Sequence, residues 1–133
     1  MSKLVDMLLR PEVPDVSREL PSKQVKVKRL SKLLGTDVVF TLRALPYGQV
    51  EDIKKETGDA SLSILLSGLT DPDPRDEALN QRFNAVTPKE MLKQLLLPGE
   101  IEDLSREVER LSGYRAATIE EIKNASGAET TRS

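Results

Sequence analysis

The stretch from Thr87 to Gly113 constrains the fold most, because it carries start and stop signals for two consecutive helices. Thr87 can serve as the N-cap, Pro88 suits the first helical position, and Glu90 stands where a capping box needs it. After a run of three leucines, Pro98 and the glycine that follows it end one helix and begin the next. The sequence therefore predicts two short helices joined by a tight break, with Gly113 as the left-handed residue after the second.

The second of these helices carries apolar residues at a 3-4-3 spacing, which places them on one face. Packing in the core is the default interpretation of this stripe, and a binding site for a partner helix is the alternative. Three consecutive leucines point in different directions on a helix, so at least one needs cover beyond a single packed face. The predicted partner contacts are Leu95, Leu96, Leu97, Pro98, Ile101, Leu104, Val108 and Leu111.

The N-terminal third of the chain shows strand patterns instead. Residues 24–30 alternate between apolar and polar side chains, and residues 37–44 are rich in β-branched and apolar residues. An antiparallel hairpin with a loop at residues 31–35 is the simplest connection, and helices must cover one face of it. The predicted fold class is α+β, mostly α: a small N-terminal antiparallel β-hairpin at about 24–44, packed with a cluster of short helices at about 46–124.

The chain divides into three predicted regions. Residues 1–22 comprise a short helix at 2–10, with Leu4 and Leu8 on one side, and a connector with three prolines that is either ordered or loose. Residues 23–125 form one domain, and the last residues, 126–133, form a small, polar tail that is predicted to be disordered.

Within the domain, further helices are predicted at 47–56, from Asp73 as N-cap to about Phe83, and from Thr118 to about Asn124. Residues 60–69 fit either a third strand or a short buried helix, and the helix is favoured.

The composition argues against catalysis. The 133 residues contain no Cys and no His, so thiolate chemistry and the commonest general base and metal ligand are missing. The paired carboxylates are placed as helix caps or beside cations on helix faces, as in Glu102 and Arg106. No catalytic, cofactor-binding or metal site is predicted. No apolar run reaches the length of a membrane span and no signal peptide is recognisable, so we expect a cytoplasmic location.

A basic segment runs from residue 23 to residue 32 and contains five cations and no acid: Lys23, Lys26, Lys28, Arg29 and Lys32. It could contact nucleic acid or an acidic partner, or it could be the solvated face of a strand. Aromatic residues are not interleaved with the cations and the net charge is −2, so the second interpretation is favoured.

Four segments lie in an order that points to a known family. They are VKVKRLSKLLGTDVVFTLRAL at Val25–Leu45, GLTDPDPRDEAL at Gly68–Leu79, TPKEMLKQLLLPGEIEDLSREVERLSGY at Thr87–Tyr114, and IEEIKNA at Ile119–Ala125. Together they cover most of residues 24–125 and resemble the XkdN-like family of phage tail assembly chaperones.

The resemblance implies a non-enzymatic protein of contractile-tailed phages, prophages or related particles. Such a protein acts in the host cytoplasm, coats the tape measure protein, and leaves as the tail tube protein polymerises, so it is not expected in the mature virion. No cofactor and no membrane contact are implied, and self-association stays open. Two alternatives remain: a structural tail or baseplate component of the virion, and a nucleic-acid-binding regulator that uses the basic segment.

Overall fold

The computed structural model describes residues 2–56, 58–114 and 117–122, and within them the chain forms seven helices and one three-stranded sheet. In chain order the elements are α1 Lys3–Leu9, β1 Ser22–Lys26, α2 Lys28–Leu34, β2 Val39–Arg43, α3 Tyr47–Lys55, α4 Ala60–Gly68, β3 Leu69–Asp71, α5 Glu77–Arg82, α6 Pro88–Leu95 and α7 Pro98–Leu111. The predicted fold class, α+β and mostly α, is confirmed.

The sheet is antiparallel throughout, in the order β1-β2-β3. Val25 of β1 lies opposite Phe40 of β2, and Leu42 of β2 lies opposite Leu69 of β3. Phe40, Leu42 and Leu69 are buried, whereas Gln24 and Lys26 are exposed, so one face of the sheet enters the core and the other faces solvent.

The core is aliphatic apart from Phe40, and α4 and α7 pack along each other at its centre. Gly68, the last residue of α4, sets their separation. A Cβ atom at Gly68 would lie 2.6 Å from Val108 Cγ1 and 2.7 Å from Val108 Cγ2, so the two helices approach more closely than any side chain would permit.

The helix pair that the sequence predicted is present, with one change at its start. Thr87 Oγ1 accepts a hydrogen bond from Glu90 N at 3.2 Å, as expected of the N-cap. Glu90 Oε1, however, accepts from Val86 N and not from the N-cap's own N–H. Gly113, with φ of 101°, follows the end of α7 in the left-handed conformation.

The hairpin prediction is correct in pairing and wrong in its connection. β1 and β2 pair antiparallel, but the first strand ends at Lys26, and the helix α2 occupies residues 28–30 of the predicted strand and most of the predicted loop at 31–35. Leu30 and Ser31 are adjacent and both buried, which a helix permits and an alternating strand does not. Ser31 Oγ also accepts from Val38 N at 2.8 Å, which ties the helix to the start of β2.

Three other boundaries differ from the sequence prediction. The short strand β3 was not predicted, because three residues give no usable alternation. Asp76, and not Asp73, caps α5 by accepting from Leu79 N at 2.8 Å, while Asp73 accepts from Arg75 N in the preceding turn. The ambiguous stretch at 60–69 is helical as favoured through Gly68, and Asp59 caps the helix, whereas Leu69 begins β3.

The last predicted helix, from Thr118 to about Asn124, is wrong over its described part. Residues 117–122 are not helical, and Ile119 and Ile122 are 92% and 80% exposed. A helix of about seven residues is stable only when its side chains pack against other elements, and these two exposed side chains are not packed. Asn124 and the predicted tail at 126–133 lie outside the described residues, and the three-region division of the chain stays a prediction.

Candidate partner-binding surfaces

The predicted apolar contacts divide between core and surface. Leu96, Ile101, Leu104 and Val108 are buried, and Leu95 and Leu111 are half-buried against the same core. The stripe on α7 therefore packs against this chain's own core. Leu97 remains 51% exposed and Pro98 is exposed, so only the break between α6 and α7 presents part of the predicted contact set to solvent.

The break is held in place by Glu100, in the first turn of α7. Its carboxylate accepts from Arg29 Nε at 3.0 Å, from Arg29 Nη2 at 2.9 Å and from Leu97 N at 2.7 Å. Arg29 Nη2 also donates to Leu95 O at 3.0 Å. Because Leu97 has no side-chain acceptor, the N-cap position of α7 has only the Glu100 half of a capping box.

These contacts set the charge of Glu100. Hydrogen bonds from Arg29 lower the pKa of Glu100, partial burial opposes them, and the Leu97 N–H and the Arg29 charge add to the lowering. The same pair raises the pKa of Arg29. Both groups therefore stay ionised across neutral pH, and the break is fixed by a bidentate ion pair.

The basic segment is largely neutralised by this chain's own acids. Lys23 pairs with Glu107 of α7, which lowers the pKa of Glu107, and Arg29 pairs with Glu100. Lys26 Nζ lies 3.3 Å from Asp37. Lys28 and Lys32 are exposed, and no ion pair is formed by either within the described part of the chain. Nucleic-acid binding through this segment is correspondingly less favoured.

A depression of about 610 Å³ lies between β1 and α7, where this segment meets the second helix of the pair. Its walls are mainly the paired charges just described, together with Asp103 and Arg106, which bond each other through an Arg106 Nη1 to Asp103 Oδ1 contact at 3.0 Å. Such a surface is built largely by internal ion pairs and mixes polar with apolar area, so a client would compete with these pairs.

An apolar groove of about 400 Å³ was not anticipated from the sequence. It lies where α3, α4 and the end of α7 meet, and its apolar lining is Leu45, Val50, Ile53, Ala60, Ile64 and Tyr114. Ser112 also lines the groove and joins the end of α7 to the segment after β2, because its Oγ accepts from Leu45 N at 2.9 Å and donates to Val108 O at 2.7 Å. Lys54, Glu56 and Glu109 form the charged rim.

Two further depressions continue this groove along the line where α4 meets α7. The middle one, about 250 Å³, is polar and shares Glu109 with the apolar groove. The third, about 360 Å³, includes Leu96 and Pro98 at the α6–α7 break and shares Ser61 and Glu102 with the middle one. We call the three together the α4–α7 seam. It follows α7, whose 14 residues span about 21 Å.

The seam joins two mainly apolar ends through a polar centre. Sequence reasoning located only its α6–α7 end, because the groove end combines residues from three separate parts of the chain. Among the described residues no group of three or more acidic, His or Cys side chains could hold a metal ion. No described helix is long and apolar enough to cross a membrane.

The comparisons with known proteins agree with this architecture. The model of the family described as phage XkdN-like tail assembly chaperone protein matches residues 57–125, about half of the chain. The crystal structure of the protein yqbn aligns with a TM-score of 0.56 at 20% identity, covering 77% of this chain and 99% of that one, and shows a shared fold. No curated protein matches the chain significantly.

Proposed function

This chain belongs to the phage XkdN-like tail assembly chaperone family, and from that premise we propose that it binds the tape measure protein and keeps it soluble until the tail tube forms around it. Family membership gives a role in tail assembly. The proposal adds the client, the binding surface and the absence of catalysis, and it places the protein in the host cytoplasm rather than in the finished particle.

The observation that carries the proposal is the α4–α7 seam. A chaperone for long apolar helices needs an apolar surface that is open to solvent and held within a charged, well-packed frame. The apolar groove supplies such a surface through Val50, Ile53 and Ile64, each only half-buried. Pro98 supplies a second at the opposite end of the seam, and the neighbouring Leu97, outside the seam lining, is 51% exposed at the break.

The size of the seam favours release as well as binding. Small interfaces, below about 1,200 Å² of total buried area, are typical of transient contacts, whereas permanent complexes bury far more. A seam about as long as one 14-residue helix would hold only a short part of a client. Many copies along a long client would then bind weakly one by one and be displaced by polymerising tube subunits.

Co-expression with the tape measure protein encoded nearby tests the proposal. We expect the client to move from the insoluble to the soluble fraction and to co-purify with this chain. A client that stays insoluble and does not co-purify would contradict the proposal.

The alternative of a structural tail or baseplate component makes a different prediction. Mass spectrometry of purified particles should find none of this chain if it is a chaperone. Its presence in stoichiometric amount would show that it is a component of the virion.

A further inference from the structure

The N-terminal helix α1 is an amphipathic segment without a partner. Leu4, Val5, Leu8 and Leu9 form one face and are between 41% and 69% exposed, while Asp6 and the flanking cations lie on the other face. None of the seven residues of α1 is buried. An isolated helix of this length is not stable in water, so its apolar face requires a surface to dock on.

The C-terminal end of the connector that follows α1 joins the domain close to the apolar groove. Pro21 O accepts a hydrogen bond from Ala44 N at 2.9 Å, and the next residue, Leu45, lines the groove. The segment from Arg10 to Pro21 could span at most about 40 Å if fully extended. The connector is therefore anchored one residue from the groove-lining Leu45, and a segment of this length can return α1 to the groove.

The connector also turns rather than running straight. Asp15 O accepts from both Arg18 N and Glu19 N, and Asp15 Oδ1 accepts from Ser17 N at 3.0 Å. An Asx-type turn of this kind reverses the chain direction locally. A folded-back path for α1 is thus compatible with the connector's own hydrogen bonds.

We propose that α1 seats its Leu4, Val5, Leu8 and Leu9 face in the apolar groove of its own chain. The groove offers Val50, Ile53 and Ile64 to that face. Glu56 at the groove rim already pairs with Lys89, so the docking proposed for α1 rests on apolar contact and on its tether. A short tether anchored at the groove gives an effective concentration on the order of millimolar, which favours the same chain over a second copy.

The docked α1 would occupy the groove end of the seam when no client is present. This consequence rests on the proposed function, because it assumes that a client helix uses the same groove. α1 would then act as a tethered competitor, which shields the groove from aggregation and yields it to a client that binds along the whole seam.

The chain contains no Trp, so one introduced Trp reports on α1 alone. We would measure acrylamide quenching in the full chain carrying Leu8→Trp, with Val16→Trp in the connector as the exposed control. We expect severalfold weaker quenching at position 8, independent of protein concentration. Equal quenching at both positions would overturn the proposal. Shielding that appears only at high concentration would assign α1 to a second copy, and would overturn docking within the chain.

A second variant tests where α1 docks. Ala60 is exposed and lines the groove, so Ala60→Glu fills the groove without disturbing the core. We expect it to restore full quenching of the Trp at position 8, and unchanged shielding would overturn the groove as the site. No tape measure protein is present in these measurements, so their failure leaves the proposed function standing.

The competition is tested separately with a chain that lacks residues 2–10. We expect it to bind the tape measure protein more tightly than the full chain does. Weaker binding would show that α1 contacts the client directly, and would overturn its role as a competitor.

Discussion

Among single residues, Glu100 connects more of the molecule than any other at the α6–α7 break. It joins α2 to α7 through Arg29 and also fixes Leu97 at the start of α7. Its folded-state pKa is lowered, so the stability it contributes is fully present above its ordinary pKa of 4.5 and is lost as the pH falls through the lower folded value.

Glu100→Gln should therefore be less stable than the wild type at neutral pH, and the difference should shrink as the pH falls below 4.5. Urea midpoints measured from neutral to acid pH would show this. Glu51→Gln on α3 is the matched control, because Glu51 is exposed and the substitution removes the same charge. A difference between Glu100→Gln and wild type that is constant with pH would contradict the assignment.

Leu97 occupies an N-cap position that its side chain cannot fill. Leu97→Ser should raise the free energy of unfolding by about 1 kcal/mol, because serine can accept a hydrogen bond from the first turn of α7. Thermal or urea denaturation would measure the gain. Leu33→Ser removes a leucine that is 72% exposed from the last turn of α2, where no N-cap is available, and should give no gain. A destabilised Leu97→Ser would mean that Leu97 contributes packing that its exposure does not suggest.

At the scale of elements, the contact between α4 and α7 depends on a missing side chain. Gly68→Ala should lower stability by about 1–3 kcal/mol, because its Cβ would overlap Val108 and approach Arg43 O. Gly48→Ala on α3 is the control: a Cβ there meets nothing within 4 Å, so stability should stay the same or rise by up to about 1 kcal/mol. Equal urea midpoints for the two variants would contradict close packing at Gly68.

The elements that were predictable from sequence are those with local signals. The cap at Thr87, the break at Pro98 and the left-handed Gly113 each act over a few residues, and all three stand in the structure. The sequence did not predict α2, because the alternating strand pattern ends at Val27 with no turn residue to mark the change. The hydrogen bond from Val38 N to Ser31 Oγ, which ties α2 to the start of β2, leaves no local signal in the sequence. The helix predicted after Thr118 had a cap but no packed face, so the local signal alone misled.

At the scale of the whole molecule, the seam could not be derived from the sequence. Leu45, Ile64 and Tyr114 are far apart in the chain and come together only through the packing of β2, α4 and α7. Hydrophobic periodicity also does not distinguish a half-buried isoleucine such as Ile64 from a fully buried core residue. By contrast, Ile101 and Val108 were included among the predicted partner contacts, but both are buried in the core.

The central claim is that a client helix lies along the α4–α7 seam, and a small set of variants tests it most directly. The tape measure protein would be co-expressed with wild type, with Ala60→Glu at the groove end, with Leu97→Ser at the break, and with Leu33→Ser as the exposed-leucine control outside the seam. Circular dichroism and urea midpoints would first show that each variant folds.

The measurement is the amount of soluble client that co-purifies with each folded variant. We predict that Ala60→Glu and Leu97→Ser each reduce it severalfold, that the double variant nearly abolishes it, and that Leu33→Ser matches wild type. Wild-type amounts of soluble client with the folded double variant would contradict the claim.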